Sequence, residues 1–300
     1  MRTVLLFLAL GLGLPGSAPR GRFVAPSVAG RAGACHTRRV EQTQEYDSKL
    51  VTLLEALWGD GYLSPGGNAE TALVLAGLDV RGLRVLDIGC GTGGCALYIA
   101  SGLEPAEVVG IDVEPEVVEK ASAAAERAGH AGRLSFVAVE PGPLPFADSR
   151  FDVVFSKDAI VHIPDKHTLA QEIFRVLAPG GVFAASDWMA GSDGPRSAAM
   201  QHYEQVEGLG FGLASPDRYF AALRAAGFER ISYRDRTHWL RERTHRELVQ
   251  LAGPLRPSLE ASVGKEFLDH EVQVWQALCA VLDTAELGAG HWRARKSATS

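Results

Sequence analysis

Arg84-Val-Leu-Asp-Ile-Gly-Cys-Gly-Thr-Gly93 decides the fold. Its first five residues are a short β-branched and aliphatic run ending at glycines, as a buried parallel strand feeding a tight turn requires. Ala96 to Gly102 then reads as a helix. Strand, glycine turn and helix together place backbone N–H groups and a helix N-terminus at the strand's carboxyl end, where open α/β sheets bind ligands. The spacing Gly89-x-Gly91-x-Gly93 departs from the Gly-x-Gly-x-x-Gly of nicotinamide enzymes, and Asp87 stands two residues before it. A carboxylate at that point suits a cationic ligand and would repel a pyrophosphate.

Outward from this turn, strands and helices alternate. Val108 to Ile111 reads as a second strand that stops at Asp112, nineteen residues after Gly93. An acid at that strand end can accept hydrogen bonds from both hydroxyls of a ribose, and it can also cap the helix beginning near Pro115. Leu134 to Val139 reads as a third strand ending at Glu140, and Phe151 to Phe155 as a fourth. Pro179-Gly180-Gly181 marks the turn into a fifth, Val182 to Ser186. The alternation over residues 84–187 predicts an α/β, doubly wound sheet.

Asp87 and the three glycines match the Asp-x-Gly-x-Gly-x-Gly pattern and so resemble the class I S-adenosylmethionine-dependent methyltransferases. The resemblance implies a Rossmann-like seven-stranded sheet with an N-terminal helix and lid helices over the site. It also implies S-adenosylmethionine as cofactor, its methionine end near Asp87, Gly89, Gly91 and Gly93. Asp112 and Val113 would meet its ribose, and Glu140 and Pro141 its adenine.

Two further stretches are more particular: Trp58-Gly-Asp-Gly-Tyr-Leu63-Ser64-Pro-Gly-Gly67 and Ser156-Lys157-Asp158-Ala-Ile-Val-His162. Over roughly residues 44–240 the chain is similar to the phosphoethanolamine N-methyltransferases, and more loosely to the sarcosine and dimethylglycine methyltransferases. That similarity implies that Leu63 and Ser64 close over the cofactor and that Lys157 flanks it. Asp158 would line the reaction chamber, with Tyr46 and His162 pairing as a latch over the reacting groups. Chemistry favours the same assignment. A methyl sulfonium is already activated, so the protein's task is alignment, exclusion of water and a free lone pair on the acceptor. An amine acceptor must lose a proton at neutral pH, and the imidazole of His162 has the pKa for that task.

The likeness breaks where the family holds phosphate with Arg, Lys, Gln and Tyr. Glu45 stands beside Tyr46, Tyr203 and Glu207 lie on the expected lid helix after Asp187, and the family's C-terminal lysine corresponds to about Leu278. Trp188 occupies an aromatic position from which it could face an ammonium or sulfonium group. These departures suit a zwitterionic osmolyte precursor better than a phosphobase. One candidate is S-methylation of methylthiohydroxybutyrate on the route to dimethylsulfoniopropionate, with Arg218, Arg236 or Arg241 holding the carboxylate. N-methylation of phosphoethanolamine or of glycine-betaine intermediates is the alternative. A cofactor-binding protein without catalysis is a reading of another class, against which Ser64, Tyr46, Asp158 and His162 argue.

Composition bounds the rest. Thirty bases stand against 36 acids, and six arginines with no acid precede Glu41, which leaves about -12 for residues 41–300. Such a surface repels phosphate backbones, so the expected partner is a small molecule and not nucleic acid. The four cysteines show neither metal-ligand spacing nor disulfide density, and no metal is expected. Residues 1–40 read as a targeting presequence and 41–300 as one catalytic domain, with its core at 84–187 and lid and C-terminal helices at 188–300. Arg2, the apolar run Val4 to Leu14 and the small residues after it have signal-peptide order, and the arginine-rich stretch that follows reads as a transit peptide. Together they resemble the bipartite plastid presequences of algae with complex plastids; the alternative is a cytoplasmic enzyme with a start codon assigned too far upstream. The apolar run is too short for a stable membrane anchor. Oligomeric state is not legible.

Overall fold

The computed structural model describes residues 46–130, 132–208 and 210–298. The presequence and Glu45 lie outside the described residues. Seven strands form one sheet: β1 (Arg84–Ile88), β2 (Glu107–Asp112), β3 (Leu134–Ala138), β4 (Phe151–Lys157), β5 (Leu177–Ala190), β6 (Glu229–Asp235) and β7 (Leu287–Arg295). Their order across the sheet is β3-β2-β1-β4-β5-β7-β6. The first five are parallel, and β7 runs antiparallel between β5 and β6. The chain's winding reverses between β1 and β4, so the switch-point crevice opens at the carboxyl ends of those two strands.

Alternate residues of the buried strands feed opposite layers. Val85, Val108 and Val153 face one apolar layer, with α2 (Gly67–Leu75) and α3 (Gly94–Gly102) packed on it. Leu86, Val109 and Val154 face the other, covered by α5 (Lys166–Val176) and α7 (Pro216–Ala225). Such two-sided burial is why these strands read as unbroken apolar runs. On β3's side of the sheet lies α4 (Pro115–Arg127), which opens with proline at its first turn and buries Val117, Val118, Ala121 and Ala125.

A third apolar cluster covers the end of β5 and the start of β7. It joins α1 (Ser48–Trp58), α6 (Ala198–Glu207), α8 (Thr237–Ala252), α9 (Arg256–Val263) and α10 (Lys265–Asp283). Asp47 caps α1 by accepting the Lys49 and Leu50 N–H groups at 2.9 Å. These helices form the cap over the crevice.

The sequence division at residue 187 needs correction. β5 continues to Ala190 because residues 182–190 pair with β7 one by one, so Asp187 and Trp188 are strand residues. The lid helix starts only at Ala198, behind Ser197. The segment 188–300 also returns to the sheet through β6 and β7. Gly290 permits that closure: a Cβ there would fall 1.9 Å from the Tyr233 ring.

Trp292 on β7 is 1% exposed and its ring centroid lies 4.7–5.2 Å from those of Tyr219, Phe220 and Tyr233. Its indole N–H is buried without a partner. Trp292→Ala should therefore cost about 3–5 kcal/mol in urea unfolding. Trp292→Phe, which removes the unpaired N–H, should stay within about 1.5 kcal/mol of wild type. Equal losses for the two variants would contradict this packing.

Candidate active site

The glycine turn is pinned to the second strand. Gly89 and Cys90 donate their N–H groups to the Ile111 carbonyl at 2.8 and 3.0 Å, and Gly91 donates to Asp112 Oδ2 at 2.9 Å. All three glycines have positive φ, between 51 and 93°. A Cβ on Gly89 would stand 2.1 Å from that of Ala159, and one on Gly93 would press on Phe136 and Ala121 at 2.9 and 3.0 Å. The turn is thus closed from behind by β4's loop and by α4, and its open side faces Leu63, 3.1 Å from the position of a Gly91 Cβ. Leu63 arrives there because Gly94 donates to the Gly61 carbonyl at 2.8 Å, while Glu55 Oε1 accepts from Gly61 N at 2.9 Å and from Thr92 Oγ1 at 3.3 Å. Glu55, on α1, is a loop-positioning residue that carried no signal in the sequence.

Asp112 is not the cap of α4, since Glu114 holds that position. Its Oδ1 instead accepts the Glu114 N–H at 3.1 Å. Two backbone donors leave the carboxylate with further lone pairs for ribose hydroxyls. Val113 beside it is 51% exposed, and Glu140 and Pro141 are exposed in the loop after β3.

Asp87 is the electrostatic centre. It is 1% exposed, and Oδ2 is buried without a hydrogen-bond partner. Burial, and then the charge of Asp112, push its carboxyl up to about 7, against the pull of Lys157. A buried carboxylate oxygen with no donor is costly, and a cationic ligand at this strand end would relieve it. The ammonium and sulfonium of S-adenosylmethionine meet that requirement, so donor set and glycine cradle both fit the cofactor.

The fourth strand supplies the link to the acceptor side. Lys157 Nζ donates to Ser64 Oγ and pairs with Asp158 Oδ2 at 3.0 Å, its side chain 1% exposed. Asp158 Oδ1 accepts from Ser186 Oγ at 2.8 Å, and its backbone is held at φ 56° by a 2.8 Å bond from its N–H to the Ser186 carbonyl. A non-glycine residue in that left-handed region marks a locally over-determined turn. His162 ends the short 3-10 turn Ile160–His162. Lys166 Nζ donates to the Ile160 and Ile163 carbonyls, both at 2.6 Å, and Asp187 Oδ1 accepts the Val161 N–H at 3.0 Å. Burial raises the Asp187 carboxyl and lowers the Lys166 ammonium. This buried pair positions the turn.

The adjoining cleft encloses about 700 Å³, part of it open to solvent, and its lining brings together Tyr46, Leu63, Ser64, Asp158, His162, Trp188 and Tyr203. His162 Nδ1 lies 2.9 Å from the Gly210 carbonyl; a carbonyl only accepts, so Nδ1 carries the proton and Nε2 keeps its lone pair. Burial holds His162 below the ordinary histidine value, which keeps it neutral at pH 7. Glu207 and Leu278, which the resemblance sets at the family's phosphate-holding positions, also line the cleft. Arg218, Arg236 and Arg241 do not: they pair with Asp193, Glu70 and Asp283 instead, because acids on neighbouring elements hold them elsewhere. Missing from the sequence reading were Phe211, Glu247, Glu271 and Trp275. A signal existed for two of them. Glu271 and Trp275 share a helix face with Leu268, Leu278 and Leu282, and an acid within an apolar stripe asks for a reason.

Sheet order, glycine turn and strand-end acids are those of the class I S-adenosylmethionine-dependent methyltransferase fold. Residues 79–214 match the model of a methyltransferase domain. Within the class the chain is similar to phosphoethanolamine N-methyltransferases: that of Triticum aestivum is 31% identical over 250 residues, 83% of this chain and 47% of the relative. The chain spans about half the length of the curated relatives it matches. Phosphoethanolamine N-methyltransferase 2 of Haemonchus contortus, solved with phosphomonomethylethanolamine and S-adenosylhomocysteine, superposes with a TM-score of 0.78 at 23% identity, covering 85% of this chain and 59% of its own. A sarcosine dimethylglycine methyltransferase structure from Galdieria sulphuraria gives 0.67 at 23% identity, covering 77% and 85%.

A cation at Oδ2 lowers the Asp87 pKa, so cofactor binding should release a proton from this residue. Affinity for S-adenosylmethionine should rise between about pH 6 and 8 and level off above the free pKa. Asp87→Asn should weaken binding roughly 10- to 100-fold and flatten that part of the pH dependence in calorimetry. A variant with wild-type affinity and an unchanged pH profile would remove Asp87 from the cofactor site.

Proposed function

We propose that the chain transfers the methyl group of S-adenosylmethionine to a nitrogen or sulfur of a small metabolite that carries no phosphate. The observation that carries this reading is the cleft lining itself. It joins the cofactor-side residues Leu63, Ser64 and Asp158 to His162, Tyr46, Tyr203 and Trp188, and among the described residues it includes no lysine or arginine. A phosphate dianion needs charge-assisted donors, and none of the described lining residues is cationic.

When bound, the cofactor supplies an activated methyl group. The protein's part is to align and dry the acceptor. Leu63 and the Ser64–Lys157 bond close the boundary between the two halves. His162 offers Nε2 to an acceptor's N–H while the Gly210 carbonyl fixes the ring. A nitrogen acceptor is favoured over a thioether acid, because a thioether has no proton to lose and its carboxylate would meet no cation in the lining.

His162→Ala should lower kcat on an amine by about 10²- to 10⁴-fold while the cofactor dissociation constant stays within about twofold. In the wild type, the acid limb of kcat should lie below the ordinary histidine value, since burial depresses His162, and should vanish in the variant. Parallel collapse of cofactor binding would make the residue structural. A chain that binds cofactor yet transfers no methyl to any amine or thioether would be a binding protein and would sink the proposal.

A further inference from the structure

The acceptor cleft has a chemical bias that goes beyond the missing phosphate site. Phe211 lies at the centre of a set of nearly parallel rings: His162, Trp188 and Tyr203 stand 5.7, 6.4 and 5.9 Å from it, with interplanar angles of 26, 20 and 18°. Across the lining, Trp58 and Trp275 pack at 6.2 Å, and both direct their indole N–H groups to Glu247, at 2.8 and 3.4 Å. With its edge donors committed to Glu247, each indole leaves only its ring surface for a ligand.

Carboxylates accompany these rings. Asp158, Glu207, Glu247 and Glu271 line the cleft, and burial, with the charges of Glu207 and Glu271 adding to it, drives the Tyr203 phenol well above its ordinary range. The cations paired with Asp158 and Glu247, Lys157 and Arg243, sit behind the wall. Aromatic faces and carboxylates attract organic cations, and the same carboxylates repel anions.

We infer that the acceptor is a small organic amine with no anionic group, carboxylate included, and that its methylated ammonium product is held against the ring faces of this cleft. This deepens the proposed function and rests on it. The step balances: the substrate ammonium gives a proton to His162 Nε2, and the freed nitrogen lone pair forms the N–C bond. The electrons of the S–C bond return to sulfur, leaving S-adenosylhomocysteine and a methylated ammonium.

The test uses the full chain with S-adenosylhomocysteine and three probes: choline, its neutral carbon isostere 3,3-dimethylbutan-1-ol, and phosphocholine. Choline should bind at least tenfold more tightly than either of the others. Glu271→Gln and Trp188→Leu should each weaken choline roughly 3- to 30-fold and leave S-adenosylhomocysteine affinity unchanged. Equal binding of choline and its isostere would make the cleft merely apolar, and tighter binding of phosphocholine would place a phosphate site in it; either overturns the inference. So would intact S-adenosylhomocysteine binding with no detectable choline binding. Loss of S-adenosylhomocysteine binding in the wild-type chain would instead overturn the methyl-transfer reading beneath it.

Discussion

A single carboxylate oxygen, Asp87 Oδ2, buried at the end of the central strand without a donor, sets the terms for the rest of the site. The sheet places it there by pairing β1 with β2 on one side and β4 on the other; Asp87 stands opposite Gly110 and Phe155, so Asp112 and Lys157 follow about two residues further along the neighbouring strands. Burial, and then the repulsion of Asp112, push the Asp87 carboxyl up to about 7 against the pull of Lys157, and a cation joining it would bring that value down. A buried carboxylate oxygen without a donor is costly and suits one kind of ligand. It turns a glycine loop, which many nucleotide proteins share, into a site that selects a positively charged cofactor.

The two halves of the reaction fall to two layers of structure. Parallel strands hold the cofactor side through backbone bonds that allow little adjustment. The helical cap makes the acceptor side from α1, α6, α8 and α10, elements far apart in sequence. Hydrogen bonds among Ser64, Lys157 and Asp158 join them, and Lys166 and Asp187 hold the His162 turn from below. Rigid cofactor binding and an adaptable acceptor pocket are what a fold used for many acceptors needs.

The legible part of the sequence was the part governed by local rules. Strand runs, glycine spacing and the strand-end acids each follow from short-range geometry, and β1, β2 and β4 lie where those rules place them. The fifth strand reads as ending at Ser186 because its last residues are strand only by pairing with β7, a hundred residues away. For the same reason Glu247, Glu271 and Trp275 went unread: α8 and α10 are ordinary amphipathic helices until the fold turns one stripe toward the cleft. Glu55 is a sharper case, since its bonds to Gly61 and Thr92 exist only once α1 docks on the glycine turn. The three arginines considered for a substrate carboxylate failed because ion pairing on neighbouring elements, which sequence does not show, had claimed them.

The central claim is that a sulfonium cofactor bound at Asp87 methylates an acceptor that brings no phosphate. It is tested most directly by following labelled methyl transfer from S-adenosylmethionine, by the full chain, to ethanolamine and its N-methyl derivatives beside their phosphorylated counterparts. The account predicts kcat/KM at least tenfold higher for the unphosphorylated amines. Preference for the phosphorylated series would contradict it.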